Sequence, residues 1–344
     1  MNSRRISLSW AGLLIALVAF WPGMSSGGVV EIPDPVLEAA IRDQLNIGES
    51  EPVTPEAIAR IGSLLDGGGT GGVESLEGLQ YATRLHFLAI SYGRIRDLTP
   101  ISGLDHLRWI IVPWNRVDSL DPLRGMEHLI QLVVSGNRIT DITPLAELPA
   151  LIGAGLDGNL ITDISPLRNL HSLVALDLSD NPVGDYAPLF EMQSLESLSL
   201  RNGRLADISG LSSMTGMKEL DLKDNLINDL SPLAGMTGLE YLNLWGNWIC
   251  DLSPLTGLCQ LEELYLPYES LDEASIETHI PTIVANNPGI HIEYGPVPEP
   301  TAVCLLACGC LVLCRRNISK WQGGRMCCWR DGPARPSPVA SKLA

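Results

Sequence analysis

The 344-residue chain sets 23 Lys and Arg against 40 Asp and Glu, a formal net charge of −17, and holds only three Phe among 45% hydrophobic residues. An acidic surface repels phosphate backbones and anionic lipid, which excludes nucleic acid as a partner class. The eight cysteines form no CxxC pair and no zinc-ligand spacing, so no metal or cofactor site is expected.

At the N-terminus, Arg4 and Arg5 precede an apolar run from Trp10 to Trp21, followed by small residues from Gly23 to Gly28. Charged, apolar and small segments in that order predict a secretory signal over residues 1–27, cleaved near Ser25 to Gly27. Without that signal and without residues 301–344, 14 basic and 39 acidic residues remain, a net charge of −25. Residues 28–72 predict a helical cap. Asp34-Pro35 followed by Leu37, Ile41 and Leu45 reads as a capped amphipathic helix, and Thr54-Pro55 starts a second through Ile58 and Ile61. The run Asp66 to Gly72 is glycine-rich but lacks the Lys-Ser/Thr that a phosphate-cradling loop requires. It reads as an insertion that interrupts the strand of a degenerate first coil.

From residue 73 to 268 the chain repeats every 22 residues. Leu85, Leu107, Leu129, Leu151, Leu173, Leu195, Met217, Leu239 and Leu261 hold one position without insertion or deletion. In the unit beginning at Leu129, Leu132 and Val134 alternate as a short strand, and Asn137 follows. That Asn recurs at 115, 159, 181, 225 and 247, with Gly93 and Gly203 in two further coils. An inward Asn satisfies backbone groups where the chain turns a corner. The next corner reads Asp141-Ile-Thr143-Pro144-Leu145, with equivalents at Asp163 and Asp251. Thr or Ser before Pro predicts an N-cap and the first residue of a short helix. Constant slots make these Asn and Asp residues structural ladders rather than a calcium or catalytic array. His106 and His128 share one surface slot, and no nucleophile elbow or HExxH motif appears.

The LxxLxLxxNxIxDIxPL unit resembles the 22-residue leucine-rich repeats of the bacterial internalin type. The resemblance implies an α/β fold, a leucine-rich-repeat solenoid with nine regular strands in one curved parallel sheet on the concave face. Short helical or 3-10 returns line the convex face behind a helical N-terminal cap. It implies a binding protein, with no catalytic or metal-binding residues and no cofactor. An enzyme is a remote alternative. Strand alternation places outward residues one before, one after and three after the second Leu of each block. These give Phe87, Trp109 and Ile111 near one end, with Tyr92 and Trp114 at the rim. Near the other end they give Tyr241, Trp245 and Tyr265, with Tyr268 at the rim, and between lie Gly153, Gly155, Asp177, Ser199 and Lys223. The two aromatic groups form the expected ligand surface, for a protein partner or alternatively an exopolysaccharide. Trp109 and Trp245 are read as exposed contacts whose loss leaves folding intact.

Residues 269–294 predict a C-terminal cap, with a helix over Leu271 to Ala285 and a closing strand at Ile290 to Ile292. Cys250 and Cys259 can pair in an oxidising compartment, although their positions around the coil differ. Within residues 295–316, Pro298-Glu299-Pro300 precedes an uncharged segment, Thr301 to Cys314, and then Arg315-Arg316. This resembles the PEP-CTERM sorting signal of Gram-negative bacteria. It implies an exosortase-type processing enzyme, transient membrane contact through the apolar segment, and delivery to the envelope, outer surface or matrix. Fourteen helical residues span about 21 Å, short of the roughly 30 Å hydrocarbon core, which suits a processed tag better than an anchor. The cysteines at 304, 308, 310 and 314 depart from that family, as does a polar extension over residues 317–344 that reads as disordered.

Overall fold

The computed structural model describes residues 28–65, 72–267 and 270–295. The expected secretory signal, the glycine run at 66–71, Tyr268, the Pro298–Pro300 and Arg315-Arg316 motifs and the 317–344 extension lie outside them. Among the described residues no helix is long and apolar enough to cross a membrane.

Eleven short strands form one parallel sheet in strict chain order. They are β1 (Ser63–Leu65), β2 (Phe87–Ala89), β3 (Trp109–Ile111), β4 (Gln131–Val133), β5 (Gly153–Gly155) and β6 (Ala175–Asp177), then β7 (Ser197–Ser199), β8 (Glu219–Asp221), β9 (Tyr241–Asn243), β10 (Glu263–Pro267) and β11 (His291–Gly295). From β2 to β10 each residue pairs with the one 22 positions on, as Trp109 does with Gln131 and Gln131 with Gly153. The nine regular strands are those expected. Two more extend the sheet. The closing strand β11 follows the C-terminal cap, pairing Glu263 with His291. At the other end β1 pairs Ser63 with Phe87, two residues out of register with the repeat. The glycine run therefore does not interrupt the first strand, as the sequence suggested; it follows it, and the extra two residues hide the strand from a 22-residue frame.

Each coil buries its Leu, Ile, Val and Met ladders, Met217 included; among the described residues no aromatic ring is fully buried in the core, though Tyr81, Tyr186 and Phe190 pack against it. The asparagine ladder joins neighbouring coils. Asn137 donates from Nδ2 to Val134 O (2.9 Å) in its own coil and to Val112 O (3.0 Å) in the one before, and its Oδ1 accepts from Val117 N (2.9 Å). Asn159 repeats the set with Leu156 O, Val134 O and Ile139 N. The next corner differs in detail from the sequence reading. Ser and Thr are the first residues of 3-10 turns, such as Thr143–Glu147 and Ser165–Asn169, and no side chain caps from the preceding position. The Asp two residues earlier does that work: Asp163 accepts from Ser165 N (2.8 Å) and Oγ (3.0 Å). Those bonds hold the Asp163 carboxyl below the usual range, the backbone donor contributing most.

The expected helices close the ends. Helix α1 (Pro35–Leu45) is capped by Asp34, whose Oδ1 accepts from Val36 N and Leu37 N. Its other oxygen accepts from Glu74 N (2.6 Å) and Ser75 N (3.1 Å), tying the cap to the first coil. Thr54 caps helix α2 (Pro55–Ile58), accepting from Ala57 N (3.3 Å), and the helix ends before Ile61, its expected last turn. A continuous helical stretch over residues 273–286, in which a π-helical turn (Ser275–His279) runs into α3 (Ile280–Asn286), lies within two residues of the helix expected over Leu271 to Ala285. No disulfide joins Cys250 and Cys259.

Two adjacent coils break the pattern. Gly203 replaces the ladder Asn, as Gly93 does at the N-terminal end, and in the coil before it Tyr186 stands where other coils carry Ile142, Ile164 or Ile208. The Tyr186 hydroxyl donates to Gly203 O (3.3 Å), and a Cβ on Gly203 would stand 2.6 Å from it. Pro182 has no N–H to match the Leu160 N to Ile139 O bond (2.9 Å) between other coils. Val183 is only half-buried where Ile139 and Ile161 are fully so. A cleft of about 680 Å³ opens there, lined by Leu160, Asp180, Val183, Tyr186, Asn202 and Arg204 among others.

A buried donor or acceptor left without a partner costs about 1–3 kcal/mol. Asn159→Ala would orphan Ile139 N, whereas Val134 O keeps the Asn137 amide and Leu156 O the Asn181 amide. It should lower unfolding stability by about 2 kcal/mol, read as a shifted urea midpoint with unchanged slope.

Candidate interaction surface

Burial alternates along the strands: in β2, β3 and β4 the middle residue is buried and its neighbours are half-exposed. The outward residues change character along the solenoid. At the N-terminal end Phe87 and Trp109 lie 6.4 Å apart between ring centroids, with His86 edge-on to Trp109 at 6.4 Å. Ala89, Ile111 and Val133 extend this uncharged patch. Small residues follow on β5 to β7, from Gly153 and Gly155 to Ser197 and Ser199.

The C-terminal end is aromatic and acidic. Tyr265 is its hub, 5.5 Å from Tyr241, 5.3 Å and edge-on to Trp245, and 6.1 Å from His291. Its hydroxyl donates to Glu263 Oε2 (2.8 Å), and that bond, with some burial, pushes the Tyr265 pKa up to about 12. Lys223 Nζ sits 5.6 Å from the Trp245 ring centre, a cation over an aromatic face. Asp177 and Asp221 share this face. Burial pushes both carboxyls up, against the hydrogen bonds each accepts from Ser179 N (2.9 Å) and Lys223 N (3.0 Å). Arg201 Nε stands 3.9 Å from Asp221.

The structure thus brings Phe87 to Trp109, and Tyr241 to Trp245 and Tyr265, as two groups on one face. Trp114 belongs to neither. It stands at the corner beyond its strand, stacked on Tyr92 with ring centroids 6.2 Å apart and planes 5° from parallel. Both residues have φ of 56°. For an L-residue with a side chain this left-handed backbone costs roughly 1–2 kcal/mol. The sequence reading missed this strain, and it missed His86, Glu263 and Asp221. A tally of that slot by coil would have flagged Tyr92 and Trp114, because the equivalent residues are Gly136, Gly158, Asp180, Asn202, Asp224 and Gly246. His106 and His128 are exposed, as expected. Among the described residues no group of three or more His, Cys, Asp or Glu is arranged to hold a metal ion.

Trp245 has a structural contact that the sequence reading omits. Its ring lies against Gly295, where a Cβ would stand 2.6 Å from it, and its Nε1 donates to Glu293 O (3.3 Å). It pins β11 to the sheet. Trp245→Ala should therefore cost about 2 kcal/mol, less than the 3–5 of a fully buried ring, seen as a lowered Tm. Trp109→Ala, without such a tether, should melt within a degree or two of the parent.

Comparison with known proteins agrees with this architecture. The family model described as "Leucine Rich repeats (2 copies)" matches residues 193–235. No curated protein matches the chain. Among solved structures, an internalin (InlF) of Listeria monocytogenes is 27% identical with a TM-score of 0.58, over 67% of this chain and 74% of that one. An internalin C2 of the same organism is 29% identical with a TM-score of 0.51, over 67% and 91%. The functional domain of Listeria InlJ shares the fold at 18% identity and a TM-score of 0.57, over 79% of this chain and 62% of that one. The fold is a leucine-rich-repeat solenoid similar to those of the internalins.

Proposed function

We propose that this chain is an exported binding protein of the bacterial envelope that holds a protein partner against the strand-lined face of its solenoid. The observation that carries this reading is the concentration of rings on one face, where core packing gives no reason for them. Phe87, Trp109, Tyr241 and Tyr265 are half-exposed on strands whose middle residues fill the core. Aromatic side chains of this kind anchor protein interfaces, supplying large contact area at low entropy cost. From β3 to β9 is six strand spacings, about 29 Å. A surface that long suits a folded partner burying about 800 Å² per side.

The test is site-specific cross-linking in the native envelope. A photoreactive residue at Trp109 or Tyr265 of the full chain should yield a discrete adduct, and one at Arg168, on the opposite returns, should not. Adducts of equal yield from both sides would overturn the assignment. Trp109→Ala with Tyr241→Ala should lower the recovered adduct at Tyr265 at least tenfold.

The two ends address the chain to that compartment. Residues 1–27 direct export, and Pro298-Glu299-Pro300 with Arg315-Arg316 is read by an exosortase-type enzyme while the segment between them contacts the membrane. Support comes from the order of the elements, a short apolar segment directly between an acidic Pro-rich tripeptide and a basic pair, on a chain with an N-terminal export pattern. Replacing Pro298-Glu299-Pro300 by alanine should leave translocation intact and abolish the processed form on immunoblots. Unaltered processing and localisation of that variant would instead make the segment a plain anchor.

A further inference from the structure

A second feature, apart from the strand-lined face, lies at the corner where each regular strand gives way to its ladder residue. The residue four places after the buried middle of the strand has positive φ in eight successive coils, from Tyr92 to Gly246. Six of the eight are Gly, Asn or Asp, the residues that adopt this conformation most readily. The other two are Tyr92 and Trp114, in adjacent coils, 70% and 51% exposed. Neither ring fills the core, so the fold does not explain why two bulky residues occupy a slot that disfavours them.

The rings build a flat surface. Trp114 lies with one face on Gly136, where a Cβ would overlap three carbons of the indole. Tyr92 runs parallel to it, 6.2 Å away between centroids, within the range of offset stacking. Gly158 likewise carries no side chain, so beyond Trp114 the corner stays low until Asp180 and Asn202, which bond to each other at 2.9 Å. Polar groups border the shelf. Ser135 takes the Trp114 N–H on its carbonyl (2.7 Å) and gives its hydroxyl to the Asp157 carboxylate. The adjoining outward positions of β2 to β4 carry no charge.

We propose that the Tyr92–Trp114 shelf binds a neutral carbohydrate chain. A pyranose has an apolar C–H face and a periphery of hydroxyls. It needs a flat ring to lie on and a hydroxyl–carboxylate pair at the edge, and this corner supplies both. Two consecutive sugars would lie on the two rings, with their hydroxyls toward Ser135 and Asp157. An apolar protein side chain is better served by a hollow than by an open shelf, and an acidic glycan would meet the negative field of the protein.

The experiment titrates the full-length protein against cellohexaose, laminarihexaose and chitohexaose by calorimetry. At least one should bind, and Tyr92→Asn with Trp114→Asn should weaken it at least tenfold. Asn already holds this slot at 202, so the double variant should melt no lower than the parent. It should also keep the Tyr265 cross-link, which separates this proposal from the sheet-face reading, while Trp109→Ala should keep the glycan. Three results would overturn it: no binding of any of the three by the parent, equal binding by the double variant, or a Tm several degrees below the parent that makes the rings structural.

Discussion

The inter-coil bonds of the buried asparagines hold the rest of this molecule in place. A three-residue strand is too short to order a coil by itself, and each coil's apolar stripe can be buried only against a neighbour. The ladder amide satisfies carbonyls of two coils and an N–H of the earlier one, in a place water does not reach. It fixes the distance and register between coils to within a hydrogen bond. The straight columns of Leu and Ile, and the alignment of outward residues into a continuous face, both depend on that fixed step.

Much of this was legible in the sequence because a solenoid repeats its own requirements. A position that must be apolar or amide in one coil must be so in the next, and eight repetitions turn a weak local signal into a strong one. What escaped reading was what departs from the period or depends on torsion angles. Strand β1 stands 24 residues before β2 instead of 22. The cap of each return belongs to Asp because the Ser or Thr already lies within the 3-10 turn, a shift of geometry with no change in the motif. The left-handed corner is a torsion angle, visible in composition only after the coils are stacked and compared.

The candidate surface was legible to a lesser degree. Alternation alone separates outward from inward residues, so Phe87, Trp109, Tyr241 and Tyr265 could be placed on one face. Which of them also serve the fold could not. Trp245 follows the same alternation as its neighbours, yet its contact with Gly295 comes from the closing strand, which lies outside the repeat. The segregation of charge is similarly hidden: the acids belong to a site only because β6 and β8 stand two steps apart with Arg201 between them.

The irregular coil around Tyr186, next to Gly203, carries a consequence for how the molecule comes apart. In a linear array, stability is a sum of intrinsic coil terms and nearest-neighbour couplings, and cooperativity is carried entirely by the couplings. Here the coil that carries Tyr186 lacks an inter-coil N–H donor at Pro182 on one side and the ladder amide that Gly203 replaces on the other, and its core is open enough to leave Val183 half-buried. A chain of strongly coupled units with one weak link need not melt as a single block. The segments on either side, each with its own terminal cap, form separate cooperative units that share a boundary at this seam. Fluctuations that open the solenoid would concentrate there, leaving the aromatic groups at both ends on intact coils.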